Sequence, residues 1–142
     1  MGRQLLMRPI LLDTNAYTDF MLGKDQIVEL IALAESIYLN STVLGELLGG
    51  FSVGKKTSQN RLELTKFLSS PRVTILSVTN NTADFYAEIY ANLRRKGRPI
   101  PSNDMWIAAS AMESSAILIT RDSHFNHIEN LRTGQTVADI MP

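Results

Sequence analysis

Pro9-Ile10-Leu11-Leu12-Asp13-Thr14-Asn15 is a short apolar run that stops on a carboxylate. A strand with one face in water alternates polar and apolar residues. This run has no polar member before Asp13, so as a strand over residues 9–13 it must be covered on both faces. Burial on both faces is the condition of a parallel sheet with helices packed on either side.

Moving outward, strand and helix signals alternate. Residues 15–22 suit a short helix closed by Gly23, and residues 25–36 place Ile27, Leu30, Ile31 and Ala34 at helical spacing. Residues 37–40 read as a second strand. Ser41 or Thr42 is expected to cap a helix that continues through Gly49 and Gly50. Gly45 and Gly49, four apart, are read as making room for a neighbouring backbone. Residues 56–69 form an amphipathic helix with Leu62, Thr65 and Leu68 inward. Residues 73–78 are β-branched and read as a third strand. Residues 82–96 form a helix with Phe85, Ile89 and Leu93 on one face and Gly97 as its stop. Residues 103–114 give another helix capped by Ser102, residues 117–120 a fourth strand, and residues 136–138 a fifth at an edge. The fold class is therefore α/β, a central parallel sheet of four to five strands flanked by helices, with a helical hairpin between the second and third strands. At 142 residues, without linker, repeat or low-complexity tract, residues 1–142 are expected to form a single domain.

Four acids fall where these elements begin or end: Asp13 after the first strand, Glu46 in an apolar helix, Asp104 at a helix start and Asp122 after the fourth strand. In open α/β sheets, ligand chemistry gathers at the carboxyl ends of the strands. Asp104 shares a helical face with Ile107, Ala108 and Ala111, so its carboxylate should point toward those ends. Gathered carboxylates repel one another and call for a cation. Hard oxygen ligands suit Mg²⁺ or Mn²⁺. Each acid also has a structural reading: Asp13 as a helix cap, Asp104 as a favourable charge in a helix first turn, Asp122 as a turn residue, Glu46 on an exposed stripe. His124 and His127, beside Phe125 and Ile128, read as packing or surface residues rather than ligands.

Composition removes other classes. The absence of cysteine excludes disulfides and thiolate metal sites, and two histidines are too few for a histidine-rich zinc site. A formal net charge of zero argues against binding nucleic acid by bulk charge alone. Arg3 and Arg8 precede no apolar region long enough for a signal peptide, and Leu6 stands where a myristoylation motif needs Ser or Thr. No run approaches a membrane span. The expectation is a soluble, cytoplasmic protein.

Four stretches in order, Leu11-Leu12-Asp13-Thr14-Asn15, Val43-Leu44-Gly45-Glu46-Leu47, Pro101-Ser102-Asn103-Asp104-Met105-Trp106-Ile107-Ala108-Ala109 and Ile119-Thr120-Arg121-Asp122-Ser123-His124-Phe125, resemble the PIN-domain ribonucleases, above all the VapC-type toxins of toxin–antitoxin pairs. The resemblance implies a PIN-like fold and a Mg²⁺- or Mn²⁺-dependent endoribonuclease. It implies Asp13, Glu46, Asp104 and Asp122 as catalytic, metal-site acids, with Asn15 and Thr120 in support. It further implies a homodimer, an RNA substrate and a cognate antitoxin. Arg94, Arg95, Lys96 and Arg98, just before the Asp104 motif, are the candidate RNA-binding cations; Lys55, Lys56 and Arg61 are a second set. Cations also favour helix C-termini, so the first set has a structural reading too. The competing function is a non-catalytic PIN-fold module that binds RNA or protein without turnover. A phosphotransfer enzyme would want a lysine at a later strand end, and none follows Lys96.

Overall fold

The computed structural model describes residues 7–142, so Arg3 and Leu6 lie outside the described residues. The chain runs β1 (Ile10–Leu12), α1 (Thr14–Met21), α2 (Asp25–Leu33), β2 (Ile37–Asn40), α3 (Ser41–Val53), α4 (Thr57–Leu68), β3 (Val73–Leu76), α5 (Asn80–Lys96) and α6 (Ser102–Glu113). It continues through β4 (Ile117–Ile119), a 3₁₀ turn (Ser123–His127), β5 (Thr133–Gly134) and α7 (Val137–Ile140). All strand pairings are parallel, in the order β3-β2-β1-β4-β5. β1 lies at the centre, and every residue of β1 and β4 is buried. This is the two-sided cover that an unbroken apolar strand demands.

From β1 the chain builds outward through β2 to β3, then crosses back to place β4 on the other side of β1. The strand order thus reverses beside β1, and the crevice of an open α/β sheet opens at such a switch, outside the strand ends. Asp13 follows β1 there, Asn40 ends β2, and Thr120 to Asp122 follow β4.

The helices seal the faces. Ile27, Leu30 and Ile31 of α2, Ile89 and Leu93 of α5, and Ile107, Ala108 and Ala111 of α6 are all buried. The small residues of α6 let it sit close to the sheet. On its outer side Trp106 stacks on Tyr86 of α5, with ring centroids 4.1 Å apart. Thr82, at the start of α5, donates to Glu113 at the end of α6, at 2.6 Å. The two helices are therefore antiparallel, and the C-terminal end of α5 lies beside the N-terminus of α6. Gly97 ends α5 in the left-handed conformation, φ +65°, as a glycine stop requires.

Several local expectations are corrected. The fifth strand is Thr133–Gly134; residues 137–140 are helical. Thr136 and Val137 have strand propensity, but Asp139 accepts from the backbone N–H groups of Gln135 and Thr136, at 2.7 and 2.9 Å, and this capping turns the segment into a helix start. Asn40, not Ser41 or Thr42, caps α3, its Oδ1 accepting from Val43 N at 2.8 Å. Pro101, not Ser102, holds the cap position of α6. Leu64 is the buried residue of α4, while Leu62 is 70 % exposed. A Cβ at Gly45 or Gly49 would meet nothing within 4 Å, so close backbone approach is not the reason for these glycines.

Candidate active site

Asp13 begins the site because β1 must end where its backbone stops pairing. Asp13 is buried, 5 % exposed, and its carboxylate does two jobs at once. Oδ1 accepts from Thr14 N at 2.8 Å as the cap of α1. Oδ2 accepts the Thr120 hydroxyl at 2.7 Å and the Asn15 amide at 3.2 Å. Asn15 also donates to Thr120 Oγ1, at 3.2 Å, and Thr120 Oγ1 accepts from Asp122 N at 3.1 Å. The ends of β1 and β4 are thereby sewn into one polar knot through Asn15 and Thr120.

Glu46 reaches the same crevice from α3. Its Oε1 accepts from Thr14 Oγ1 at 2.9 Å and its Oε2 from Asn103 Nδ2 at 3.0 Å. Asn40 places α3 for this: besides capping the helix it donates to Ser110 of α6 at 3.2 Å, entirely buried. Asp104, in the first turn of α6, faces the opposite wall, where His124 Nε2 lies 2.7 Å from its Oδ2. His124 Nδ1 lies 2.9 Å from Asp122 Oδ1. The imidazole thus bridges two of the four acids. This corrects the reading of His124 as a packing or surface residue; for His127, the described contact is through its carbonyl, which accepts from Lys96 at 3.0 Å.

Burial is the main reason the carboxyls of Asp13 and Asp104 sit above their ordinary pKa, with repulsion from the neighbouring acids adding to it. For Asp13 the repelling groups are Glu46 and Asp122; for Asp104 they are Asp13 and Glu46. That mutual repulsion is the electrostatic signature of four acids in one crevice. The ligand atoms of Asp104, Asp122 and His124 fall within 4.8 Å of one another, a spacing that suits a single ion. Carboxylate oxygens with one imidazole nitrogen form a hard to borderline donor set, compatible with a divalent cation.

The PIN domain family matches residues 10–131. Ribonuclease VapC2 of Rickettsia felis is 37% identical over 105 residues, which is 73% of this chain and 77% of that protein. The chain belongs to the PIN-domain family, among the VapC ribonucleases. The crystal structure of the Rickettsia felis VapBC2 complex, bound to a DNA fragment from its promoter, has a similar fold, with a TM-score of 0.78 and 33% identity, covering 89% of this chain and 97% of that one. A tRNA(fMet)-specific endonuclease VapC of Shigella flexneri is 29% identical over 96 residues, 67% of this chain and 71% of that protein.

In this PIN domain the expected cations take mixed positions. Arg94, Arg95, Lys96 and Arg98 cluster at the end of α5, beside the start of α6 and so on the same side as Asp104. Lys96 is spent on Glu129, at 3.3 Å, and on the His127 carbonyl. Arg94 lies over the Tyr90 ring and donates to its hydroxyl. Arg95 lines a cavity of about 480 Å³ between α5 and residues 128–130, on a flank without any of the four acids. Lys55 and Lys56 sit in the α3–α4 turn and Arg61 on the exposed side of α4; among the described residues none bonds to the site. The residues missed by sequence reasoning are Asn40, Asn103 and His124. Asn40 carried a signal, since asparagine before a helix is a strong cap. Asn103 carried none, because Glu46 is 57 positions away; His124 stands close to Asp122 in the chain, but its other partner, Asp104, is 20 positions away.

Proposed function

We propose that this protein is a divalent-metal-dependent endoribonuclease, the toxin of a toxin–antitoxin pair, with Mg²⁺ or Mn²⁺ held by Asp104, Asp122, Asp13 and Glu46. One observation carries the reading: four carboxylates from four separate segments meet at the topological switch of the sheet, and the side chain that bridges two of them in the described structure is the His124 imidazole. Clustering acids this way costs stability, and a bound cation offsets that cost.

When bound, the cation supplies charge neutralisation at the scissile phosphate and activation of the attacking water. The chain's own residues supply position. Thr120 and Asn15 fix both rotamer and direction of Asp13. Thr14 and Asn103 grip the two oxygens of Glu46, so that this exposed-side glutamate is not free to swing out. His124 holds Asp104 and Asp122 toward a common point. The small residues of α6 keep Asp104 against the strand ends. Pre-set ligands of this kind need no rearrangement when substrate arrives.

VapC relatives carry the ribonuclease activity in their names, and one of them is specific for tRNA(fMet), so a structured RNA is the first substrate to try. The VapBC2 complex supplies the precedent for an antitoxin partner. We extend both to this chain, together with a homodimeric state and a cytoplasmic site of action, where the RNA is. No helix among the described residues is long and apolar enough to cross a membrane. The whole 142-residue chain is taken as one nuclease unit. Purified protein should cut RNA with Mg²⁺ or Mn²⁺ and stop with EDTA. It should arrest growth when expressed alone and be relieved by co-expression of its cognate antitoxin. Metal-independent cutting, or growth arrest by an Asp104→Asn protein equal to that of wild type, would overturn the assignment.

A further inference from the structure

RNA is a polyanion and the crevice is acidic, so a cation must stand close to the metal site for the strand to lie across it. The expected set at the end of α5 is partly committed to internal partners. A different cation is built into the site itself. Arg121 follows β4, between Thr120 and Asp122. Its backbone N–H donates to Asn15 Oδ1 at 3.2 Å, which fastens it to the same knot that holds Asp13. Its guanidinium forks onto Asp19 of α1, Nε to Oδ2 at 2.8 Å and Nη2 to Oδ1 at 3.2 Å. Asp19 is one helical turn beyond Asn15, and its side chain is 12 % exposed.

A tie between β4 and α1 would explain one ion pair, but it does not explain this arrangement. Lys24 Nζ also reaches Asp19 Oδ1, at 3.2 Å. Two cations on one carboxylate leave one positive charge over. The two bonds to Asp19 use only part of the guanidinium, which has five N–H groups. The remaining N–H groups have no acceptor among the described residues, and the Arg121 side chain is 55 % exposed. The ion pair holds Asp19 below the usual carboxylate range, through the Arg121 hydrogen bonds first. The clamp therefore fixes a planar fork with its free edge outward, the form in which arginine recognises phosphate.

Arg121 borders a trough that is polar at its Asp122 end and more apolar toward Lys24, where Ala16, Ile27 and Ile119 line it. Arg121, Thr120 and Gln135 line two adjoining cavities of about 250 and 270 Å³. One extends to Lys24 and Gln26; the other reaches Asp122, Ser123 and Asn126. The trough thus leads from an acid of the metal site, past Arg121, to Lys24. We propose that Arg121, clamped by Asp19 and assisted by Lys24, binds the backbone phosphate of a nucleotide flanking the cut, and that the amide and hydroxyl groups of the trough face its base. The inference rests on the RNA-cleaving reading and adds the direction in which the strand leaves the site.

The test is RNA affinity and its salt dependence. A fluorescein-labelled single-stranded RNA is titrated by anisotropy with the full chain, Ca²⁺ replacing Mg²⁺, over a range of salt concentrations. Arg121→Gln should bind about tenfold more weakly, as loss of a charge-assisted contact does. Its plot of log affinity against log salt should be shallower by roughly 0.7, one single-strand phosphate. Arg121→Lys should keep the slope and lose less affinity, because the charge remains and the fork does not. Lys24→Gln, which leaves the Arg121–Asp19 pair intact, should also flatten the slope and serves if Arg121→Gln does not fold. Unchanged affinity and slope in folded variants, with only a lower Tm, would make the clamp a structural tie and overturn the proposal. Unchanged RNA binding with loss of antitoxin binding would overturn it in favour of a protein contact. Cleavage is a separate readout: wild type that binds RNA through Arg121 but never cuts it would remove the nuclease reading and leave this subsite standing.

Discussion

Asp13, which is buried, and Asp104, which is half-buried, both have raised pKa values, yet they are held in opposite ways. Among the described residues, Asp13 accepts only from neutral donors, Thr14 N, Thr120 Oγ1 and Asn15 Nδ2, all within the knot at the ends of β1 and β4. The Asp104 carboxylate is held, among the described residues, by one partner, His124, which is itself shared with Asp122. The Asp13 side is a fixed wall whose geometry the strands dictate. The Asp104 side is an adjustable wall in which an imidazole occupies the space between two acids. A site that must seat a cation tightly and still release a product benefits from having one wall of each kind.

The largest effect tests what the two walls share. Asp13→Asn and Asp104→Asn should each lower RNA cleavage by at least about a hundredfold, the scale of a lost charge-stabilising group at a reacting centre. Activity within a few-fold of wild type in either variant would remove that residue from the site. Next comes Thr120→Val, which keeps the shape and deletes the hydroxyl. Asp13 loses a donor, and Asp122 N and Asn15 lose an acceptor. We expect Mn²⁺ affinity to fall about tenfold or more, as for other groups that orient metal ligands. His124→Ala should weaken Mn²⁺ by about tenfold at most. An equal or larger loss for His124→Ala than for Thr120→Val, measured by calorimetric titration, would reverse the assignment of fixed and adjustable walls.

Smaller shifts separate the walls by stability in EDTA. Asp104→Asn removes a charge that burial disfavours, and its amide oxygen can still accept from His124. It should melt higher than wild type by about 2–4 °C at neutral pH. Asp13→Asn removes a similarly disfavoured charge, but its NH₂ group must face either Thr14 N or the Asn15 amide, donor against donor. It should melt lower, by roughly 3–6 °C, the effect of leaving a buried donor unpaired. Both variants melting in the same direction would erase the contrast. The pH dependence fixes the sign. Because both folded-state values lie above the ordinary 3.8, the folded protein holds these protons longer than the unfolded chain. The associated stability is present below that value and is lost as pH rises through the raised values. The melting advantage of Asp104→Asn over wild type should therefore open with rising pH in EDTA and shrink on adding Mn²⁺. An advantage that is constant with pH would show that the carboxylate charge is not its source.

Much of this was legible in the chain. The apolar runs of β1 and β4, the helical spacing of Ile27, Leu30 and Ile31, and Gly97 after α5 have local physical causes, and each lies where its pattern puts it. Asp104 is oriented by the same kind of rule, since Ile107, Ala108 and Ala111 must face the sheet. The misreadings occur where a local preference meets a competing local bond. Thr136 and Val137 resemble a strand until Asp139 caps the backbone. Ser41 and Thr42 are good caps, but Asn40 takes the position because β2 ends on it.

Alone, the sequence determined the α/β class, the existence of β1 and β4 as strands covered on both faces, and the places of the four acids, Asp13, Asp104 and Asp122 at element boundaries and Glu46 inside a helix. Hydrophobic periodicity and helix termini are encoded over a few neighbouring residues, so they can be read without coordinates. Only the tertiary structure decided that the strands order as β3-β2-β1-β4-β5, that His124 bridges Asp104 and Asp122, that Asn103 holds Glu46, and that Arg121 forks onto Asp19. Apart from His124 with its near neighbour Asp122, those contacts join residues between 20 and 102 positions apart. No local pattern specifies such a meeting; it follows from which strands become neighbours.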